Sequence, residues 1–489
     1  MEQVDVVVVG GRLAGCAVAA PLARAGKRVV VIDRMAFPSD QLSTHLLQPS
    51  GTSELAKMGA LPRILALSPS QVRWTTLTVD GVTCRERLRP APDGIDFGVC
   101  IPRDQQDVCL VEAAREQGAD VRERCTFEDL TWRAGRVSGL RYRDASGERH
   151  EIGAALVVGA DGRRSSVAAA VGAWAPYRLS QNGRGLVFRY VDDPRAGAAE
   201  AETNYQWREG DSFALAFPSS PVGRLLVLFQ GHRDETSEAR KDPEGYWERK
   251  LTQHPGLRER LRGVDPASYT KLRSAGEVPA FFRASSGPGW ALAGDAGHFK
   301  DPVTGQGMRD AMWAGRELAE HVLPALDRGP AAVDAATRRW EHHRDRHCLS
   351  AYHFANMDTT VEAQPPALLE LVRESARGHE QPDLTDLFGR ARDMQEIAPI
   401  PRLVRSAVAA FARGERPRGQ TVVTSVKVLR TQLEIRRERH ADRFRSTRAV
   451  YDSDHAGASW PSPPAVRPRV LAVPEGAVPG APVLQEVPA

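Results

Sequence analysis

The sequence lacks long apolar runs, paired cysteines and a strong excess of either charge. No stretch reaches the about 18 uninterrupted apolar residues that indicate a transmembrane helix. The six cysteines form no CxxC pair and no cysteine–histidine spacing typical of zinc, so we expect no metal site. A net charge of +4 over 489 residues gives no strong indication of binding to nucleic acid or to an anionic membrane.

The start of the chain, "MEQVDVVVVGG", is acidic and has no basic region, so we expect no signal peptide and a cytoplasmic location. In that reducing compartment the cysteines are expected to be buried thiols that pack as small apolar groups. The length and the hydrophobic content of 42% predict two or three domains, or one large two-part enzyme, as a monomer or homodimer.

The first motif begins with a strand predicted at "VDVVVV" and continues into a glycine-rich loop and an alanine-rich helix. Gly10 and Gly15 stand where the first and last glycines of a nucleotide-binding loop belong, but Arg12 replaces the middle one. The helix start offers free amides to a pyrophosphate. Asp33 ends the next strand and can accept hydrogen bonds from ribose hydroxyls, so the unit predicts dinucleotide binding.

Two more loops follow predicted buried strands. In "GADGRRSSV" the carboxylate of Asp161 could contact a second phosphate or ribose, although the loop could also be an ordinary turn. In "GDAGHFKDPVTGQG" Asp295 follows a strand, and Gly305 and Gly307 precede and open a helix. Glycines there let backbone amides approach the edge of a flat anionic ring, which the helix dipole favours.

The order of the three loops resembles the FAD-dependent monooxygenases of the para-hydroxybenzoate hydroxylase type, the group A flavoprotein monooxygenases, over roughly residues 3–350. The loop "GGRLAG" and the stretch "FPSDQLSTHLLQPSG" are similar to the geranylgeranyl-reductase-like branch of that superfamily. The resemblance implies FAD as the cofactor and NADPH or NADH as a transient electron donor. It also implies an α/β fold: a Rossmann-like FAD-binding domain of the GR2 type, an inserted, mostly antiparallel β-sheet substrate domain and a helical C-terminal region.

The resemblance also assigns the cofactor contacts. The residues implied to bind FAD are Gly10, Gly11, Arg12, Ala14, Gly15, Asp33, Arg34, Arg103, Asp161, Gly294, Asp295, Pro302, Gly305, Gln306 and Gly307. His298 and Pro302 are the candidate catalytic residues of the flavin-front loop. The guanidinium of Arg12 could pair with a phosphate or with a nearby acidic side chain, and the sequence leaves both open.

The domain boundaries follow the change in pattern along the chain. We expect a discontinuous FAD-binding domain at 1–75, 101–175 and 286–350, and a substrate-binding sheet at 76–100 and 176–285. Helices are predicted over 351–455, followed by a Pro-rich, disordered tail at 456–489. The candidate substrate-lining residues, each equally compatible with sheet core, are Tyr205, Trp207 and Phe217, with Asn204, Phe213 and Phe229 as further candidates.

The resemblance implies a monooxygenase that uses dioxygen and a flavin C4a-hydroperoxide to hydroxylate or epoxidise a small organic molecule, an aromatic or polyketide-like secondary metabolite. The alternative is an FAD-dependent reductase that saturates C=C bonds of a prenyl-type substrate. A non-enzymatic FAD-binding protein also remains open. A flavin halogenase is disfavoured because none of the nine tryptophans lies in a WxWxIP-like stretch, and the third loop disfavours an NAD-dependent dehydrogenase.

The C-terminal stretch "RTQLEIRRERHADRFRSTR" mixes basic and acidic residues at helical spacing. It is compatible with a solvated helix, with a dimer contact or with a lid over the active site.

Overall fold

A computed structural model describes residues 1–40, 43, 45–181, 183–276, 279–378, 380–440 and 460–465. Within these residues we number the strands β1 to β20 and the helices α1 to α15 in chain order. The predicted tail at 456–489 lies outside the described residues except for 460–465, where Trp460 packs against the rings of Trp174 and Phe281.

The first sheet has eight strands around a parallel centre, in the order β18-β19-β10-β1-β2-β7. In addition, β9 pairs antiparallel with β10, and β8 pairs antiparallel with β9. Its central strands are continuous apolar runs because both faces are covered. The strands are β1 (Glu2–Val9), β2 (Val29–Ile32), β7 (Asp120–Arg122), β8 (Thr126–Arg133), β9 (Arg136–Arg143), β10 (Arg149–Gly159), β18 (Ser286–Gly287) and β19 (Trp290–Leu292).

Helices cover one face of this sheet and share its larger apolar core. The other face packs against the β8–β9 hairpin and the short helix α5 (Ser166–Ala170). The helices on the first face are α1 (Leu13–Arg24), α2 (Pro49–Lys57), α3 (Leu61–Ala66), α4 (Arg103–Glu116), α9 (Gly307–Leu326) and α10 (Pro330–Asp358).

The second sheet has seven strands in the order β16-β12-β15-β14-β13-β4-β5, antiparallel except for the parallel pair β4 and β13. They are β4 (Trp74–Val79), β5 (Val82–Arg87), β12 (Arg184–Asp192), β13 (Thr203–Glu209), β14 (Ser212–Pro218), β15 (Arg224–His232) and β16 (Arg273–Ala275). Three helices cover its outer face: α6 (Glu235–Lys241), α7 (Pro243–Gln253) and α8 (Pro255–Arg260).

Two small sheets lie where the large units meet. One contains β11 (Arg178–Ser180), β17 (Ala280–Phe282) and β20 (His298–Phe299), and the other pairs β3 (Leu46–Leu47) with β6 (Val99–Cys100). The remaining helices form the C-terminal region: α11 (Pro366–Ala376), α12 (Thr385–Phe388), α13 (Met394–Ile397), α14 (Ile400–Arg413) and α15 (Arg418–His440).

The architecture confirms the predicted α/β fold class, with an inserted, mostly antiparallel sheet and a helical C-terminal region. Among the described helices, none combines the length and the apolar content needed to cross a lipid bilayer.

Replacing Leu22 of α1 by alanine should destabilise the fold, because this fully buried side chain packs in the core under the parallel strands. We expect a loss of about 2–5 kcal/mol in the free energy of unfolding, measured by denaturant unfolding of the FAD-free protein. The matched control is Leu65→Ala, whose side chain is 36% exposed and should cost under about 0.5 kcal/mol. Equal effects of the two variants would contradict this description of the core.

Candidate active site

The glycine-rich loop between β1 and α1 is held by two close backbone approaches. Gly10 has a φ of +107°, and a Cβ on it would collide with the carbonyl oxygen of Ala160 at the end of β10. A Cβ on Gly15 would collide with the carbonyl oxygen of Gly10. Both positions therefore need glycine for the first turn of α1 to lie directly beside the loop, where its free amides can face an anion.

Asp33 stabilises the same loop from the end of β2. Its carboxylate accepts hydrogen bonds from the amide of Gly11 at 2.7 Å and from the amide of Met35 at 2.8 Å. The carboxylate is therefore fixed beside the predicted pyrophosphate loop. Arg34, the next residue, is exposed to solvent.

The side chain of Arg12 pairs with protein groups. Its guanidinium binds the carboxylate of Asp107 in α4 and the hydroxyl of Ser39 at 2.7 Å. Arg103 binds the same carboxylate with its Nε at 2.9 Å and its Nη2 at 3.0 Å. Of the two partners that the sequence leaves open for Arg12, the structure therefore shows the acidic side chain.

The backbone at Arg12 remains available to a ligand. This residue precedes the first turn of α1 with φ −101° and ψ −157°, an extended conformation that any residue adopts. Asp107 is not among the predicted site residues, although it lies four residues after Arg103 and thus on the same helix face. Two guanidinium groups on one buried carboxylate leave a net positive charge beside the loop.

The second loop carries Asp161, which caps the short helix α5. Its carboxylate accepts hydrogen bonds from the hydroxyl of Ser165 at 2.5 Å and from the amide of Ser166 at 2.7 Å. Because Ala160 touches Gly10, this loop directly adjoins the first one.

The third loop also packs on the first. A Cβ on Gly294 would lie 2.6 Å from the Cβ of Ala14 in α1. Asp295 is half-buried beside it, and no other group in the described part of the chain donates a hydrogen bond to its carboxylate. Burial raises the pKa of Asp295, and the charges of Arg163 and Arg103 oppose that rise. Asp295 is thus a free acceptor for a ligand hydroxyl.

The loop continues into the start of α9. Pro302 opens a single 3₁₀ turn, Pro302–Thr304, whose first amides are capped by Asp301, which accepts from Val303 at 2.8 Å. Gly305 follows with a φ of +67°, and a Cβ on Gly307 would meet no described atom within 4 Å. The space beside the α-carbon of Gly307, in the first turn of α9, is therefore open.

Several buried polar atoms of this loop and of α4 have no hydrogen-bond partner among the described residues. They are Nε2 of His298, Oγ1 of Thr304, Oε1 of Gln306 and both amide atoms of Gln106. Buried polar groups without partners are uncommon in folded proteins. Together with the glycine cradle, the free carboxylate of Asp295 and the open space at Gly307, they fit a large polar cofactor such as FAD.

His298, a predicted catalytic residue, is buried in β20. Its Nδ1 lies 3.0 Å from the carbonyl oxygen of Phe281, and its ring stacks on Phe282 at 4.0 Å. Burial lowers the pKa of His298 well below its ordinary value, with Lys300 and Arg344 acting in the same direction. It is therefore a neutral imidazole, packed between β17 and β20.

A buried group of cations lies behind the same loop. The carboxylate of Asp310 in α9 binds Lys300, the guanidinium of Arg309 at 3.0 Å and that of Arg390 at 3.3 Å. Burial lowers the pKa of Lys300, and the charges of Arg390 and Arg309 add to this effect. The group remains positive even with a neutral lysine, which favours an anion and disfavours a metal ion nearby.

The C-terminal region takes part in the site. Besides Arg390, the carbonyl of Leu387 accepts a hydrogen bond from the side-chain amide of Gln306 at 2.6 Å. The contact joins residues 81 positions apart, and no local signal in the sequence indicates it.

The inner face of the second sheet turns an apolar surface toward the third loop. Phe188, Phe217 and Leu226 share a buried cluster with Val303 of that loop. Of the predicted substrate-lining residues, Phe213 and Phe217 lie here, whereas Phe229 lies in the outer core. Tyr205 and Trp207 project from the opposite face, because side chains alternate along β13, and they pack in the outer core with α7 and α8.

His45 and Tyr190, which the sequence analysis did not single out, meet beside this apolar face. Nδ1 of His45 forms a hydrogen bond with the hydroxyl of Tyr190, and the ring of Phe188 lies edge-on to the imidazole at 5.4 Å. His45 has a φ of +61°, which a non-glycine residue adopts at an energetic cost. Its carbonyl accepts from the amide of Ile101 at 3.2 Å, two residues before Arg103.

Burial raises the pKa of Tyr190 above its ordinary value, which itself lies well above physiological pH, and the phenol is therefore neutral. A neutral phenol next to an imidazole can donate its proton and then regain a proton from the imidazole.

Comparison with known proteins gives one family. A family model described as "FAD binding domain" matches residues 3–342. The chain is 26% identical to the menaquinone reductase of Mycolicibacterium smegmatis over 65% of this chain and 76% of that protein. It is 27% identical to digeranylgeranylglycerophospholipid reductase 2 of Methanothermobacter thermautotrophicus over 66% of this chain and 79% of that protein. Squalene monooxygenase SE1 of Panax ginseng matches at 30% identity over 32% of this chain and 30% of that protein.

Solved structures share the fold at low sequence identity. A flavoprotein/dehydrogenase from Cytophaga hutchinsonii superposes with a TM-score of 0.68 at 18% identity, covering 85% of this chain and 100% of the other. A geranylgeranyl bacteriochlorophyll reductase-like protein from Thermoplasma acidophilum gives a TM-score of 0.62 at 18% identity, covering 84% of this chain and 97% of the other.

Replacing Gly307 by alanine should weaken FAD binding without affecting the fold. The added methyl group meets no protein atom within 4 Å, but it enters the space that the cofactor would occupy. We expect the Kd for FAD, measured by flavin fluorescence titration, to rise at least about tenfold. Gly419→Ala, also free of contacts within 4 Å but located in α15, is the control and should leave the Kd unchanged. If FAD binds both variants equally well, the cofactor does not approach α9 as inferred.

Proposed function

The chain belongs to the FAD binding domain family and is an FAD-dependent oxidoreductase, and we propose that it reduces a carbon–carbon double bond of an apolar, prenyl-type substrate at the expense of NADPH or NADH. The observation that carries this proposal is the hydrogen-bonded pair of His45 and Tyr190, placed at the edge of an apolar sheet face. Saturation of a double bond needs a proton at one carbon, and this pair can supply it.

The three loops would hold the cofactor. Amides of the loop at Gly10–Gly15 would bind the pyrophosphate, and Asp295 would accept a hydroxyl of the ribityl chain. The residues from Pro302 to Gly307 would border the ring. When FAD is bound and has been reduced by NAD(P)H, it supplies the hydride that such a reduction requires.

Tyr190 is suited to give the proton that accompanies the hydride. Its hydroxyl is protonated at neutral pH, as that of an ordinary tyrosine already is, and it lies within hydrogen-bond distance of His45. As its O–H bond breaks, a C–H bond forms on the substrate. His45, once protonated by solvent to the imidazolium, can return a proton from Nδ1 to the phenolate and so become neutral again. Each turnover adds two hydrogens to the substrate and consumes one NAD(P)H and one proton.

The apolar face restricts the class of substrate. Tyr190 packs against a cluster of apolar side chains on this side of the sheet, and these favour a substrate that is apolar near the reacting bond. Two relatives that match about two thirds of this chain are named for reductions, and menaquinone and digeranylgeranylglycerophospholipid both carry prenyl chains. Both names support the proposed substrate class.

Oxygenation of the same kind of bond is the second candidate. The partial match to squalene monooxygenase favours it, since that name joins an isoprenoid to an oxygenation reaction. In this case the same residues would hold the cofactor, and the product would gain an oxygen atom from dioxygen. The two candidates therefore differ in oxygen consumption and product mass.

With a geranylgeranyl phospholipid or menaquinone as substrate, the purified, FAD-loaded protein should oxidise one NAD(P)H for each double bond lost, and it should do so without oxygen. Mass spectrometry should find a product heavier by two hydrogens. Coupled oxygen uptake and a gain of one oxygen atom would instead support the second candidate. A protein that acquires no flavin spectrum when FAD is added would contradict both.

Tyr190→Phe should lower the rate of product formation by about a hundredfold or more, because the substrate carbon loses its proton donor. Reduction of the bound flavin by NAD(P)H, followed by stopped-flow absorbance, should continue at the original rate. Tyr205→Phe removes a hydroxyl from the outer face of the same sheet and serves as the control. Equal product formation by both variants would exclude Tyr190 as the donor.

A further inference from the structure

Helices α14 and α15 expose an unusual number of large apolar side chains. Seven of them are 41–68% exposed: Val404, Val408, Phe411, Val422, Val423, Val426 and Leu433. Only four other large apolar residues of the described chain are comparably exposed, and they are scattered, at Met1, Met35, Leu65 and Val222. Single exposed apolar residues need no explanation, but a concentration on one helix pair indicates an interaction surface.

The exposed residues form one stripe on each helix. In α14 they are spaced i, i+4 and i+7, at Val404, Val408 and Phe411, and in α15 Val422 and Val426 are one turn apart. The buried positions of both helices form a separate stripe that packs against the body of the protein, as Leu403 and Val428 do in a common cluster. The apolar stripes therefore face outward.

A contact across the hairpin joins the two stripes. The guanidinium of Arg418, at the start of α15, lies over the ring of Phe411, near the end of α14, at 5.4 Å. We call the surface formed by the seven exposed apolar residues and the cations among them the α14–α15 face.

The charge of this segment is strongly positive. Residues 400–440 contain ten Lys and Arg against three Glu, a net charge of +7, whereas the whole chain carries only +4. Some of these cations pair with the body of the protein, for example Arg402 with Asp383 and Arg413 with Glu370. The exposed cations with no acidic partner in the described ranges are Arg405, Arg418, Arg436 and Arg437.

We propose that the α14–α15 face binds the surface of an anionic phospholipid bilayer, with both helices lying in the interface. Valine and phenylalanine side chains would enter the acyl boundary, and the arginines would contact lipid phosphates, which they can bind through two hydrogen bonds at once. Because apolar and basic residues alternate on the same outward surface, both parts of a lipid molecule find a matching group there.

A second copy of this chain is a poorer occupant. A symmetric dimer would place the same surface of each copy against the other, so Arg405 and Arg418 would face like charges without an acidic group of the stripe to offset them. Charge complementarity therefore favours the anionic bilayer.

The position of the α14–α15 face would allow it to deliver a membrane-dissolved substrate to the active site. α15 packs on α10, and the same C-terminal region contacts Gln306 of the third loop through Leu387 and Asp310 of α9 through Arg390. This role in delivering a membrane-dissolved prenyl substrate rests on the proposed function. Binding to the bilayer itself does not depend on it.

The test is co-sedimentation of the full-length, FAD-loaded protein with vesicles. We expect binding to vesicles of phosphatidylcholine mixed with phosphatidylglycerol, and at least about tenfold weaker binding to phosphatidylcholine alone or in high salt, which screens the arginines. The triple variant Val408→Ser, Val423→Ser, Val426→Ser should also bind at least about tenfold more weakly, because it removes the most exposed apolar groups.

Val222→Ser is the matched control, since this valine is 54% exposed on the turn between β14 and β15, and it should bind like the unchanged protein. Flavin content and far-UV circular dichroism verify that the triple variant is folded. Absence of binding to anionic vesicles, or unchanged binding of the triple variant, would overturn the proposal. A dimer in gel filtration that the triple variant converts to a monomer would assign the face to a second copy instead. Activity on a detergent-dispersed short prenyl substrate tests the proposed function separately.

Discussion

The close backbone contact between Gly10 and Ala160 is the constraint on which the rest of the site depends. It brings the ends of the adjacent parallel strands β1 and β10 so near that only glycine fits, and the first loop must then turn directly into α1. Gly294 packs the third loop on α1 in the same way. Three loops from distant parts of the chain thus converge at the carboxyl ends of one parallel sheet, where fixed amides can face an anionic cofactor.

Around this site, single buried carboxylates each bind several cationic side chains. Asp107 serves both Arg12 and Arg103, and Asp310 serves Lys300 and two further arginines. In each group the cations outnumber the acid, so positive charge remains beside the loop and behind α9. A buried ion pair by itself contributes little to stability. The same excess of cations is useful where a phosphate or an anionic ring must be bound, and this explains why these groups lie next to the three loops.

The C-terminal region joins the catalytic site to the outer surface. Its inner side contacts the start of α9 through Leu387 and Arg390, and its outer side presents the α14–α15 face. The net charge of +4 for the whole chain gives no indication of this face, because the net charge of +7 in residues 400–440 is offset by acidic residues elsewhere. Net charge averages over the whole surface, whereas binding to a bilayer depends on the local distribution.

The sequence by itself determined the α/β fold, the three loops and their glycines. Apolar runs predict the buried strands, and the spacing of glycine and aspartate residues just after those strands predicts the loops. Only the tertiary structure decided the partner of Arg12 and the contact of His45 with Tyr190, since the latter two are 145 positions apart. It also decided that Phe217, but not Tyr205 or Trp207, faces the third loop. Alternation along a strand divides side chains between two faces, and only the packing of the sheet against its neighbours selects the inner one.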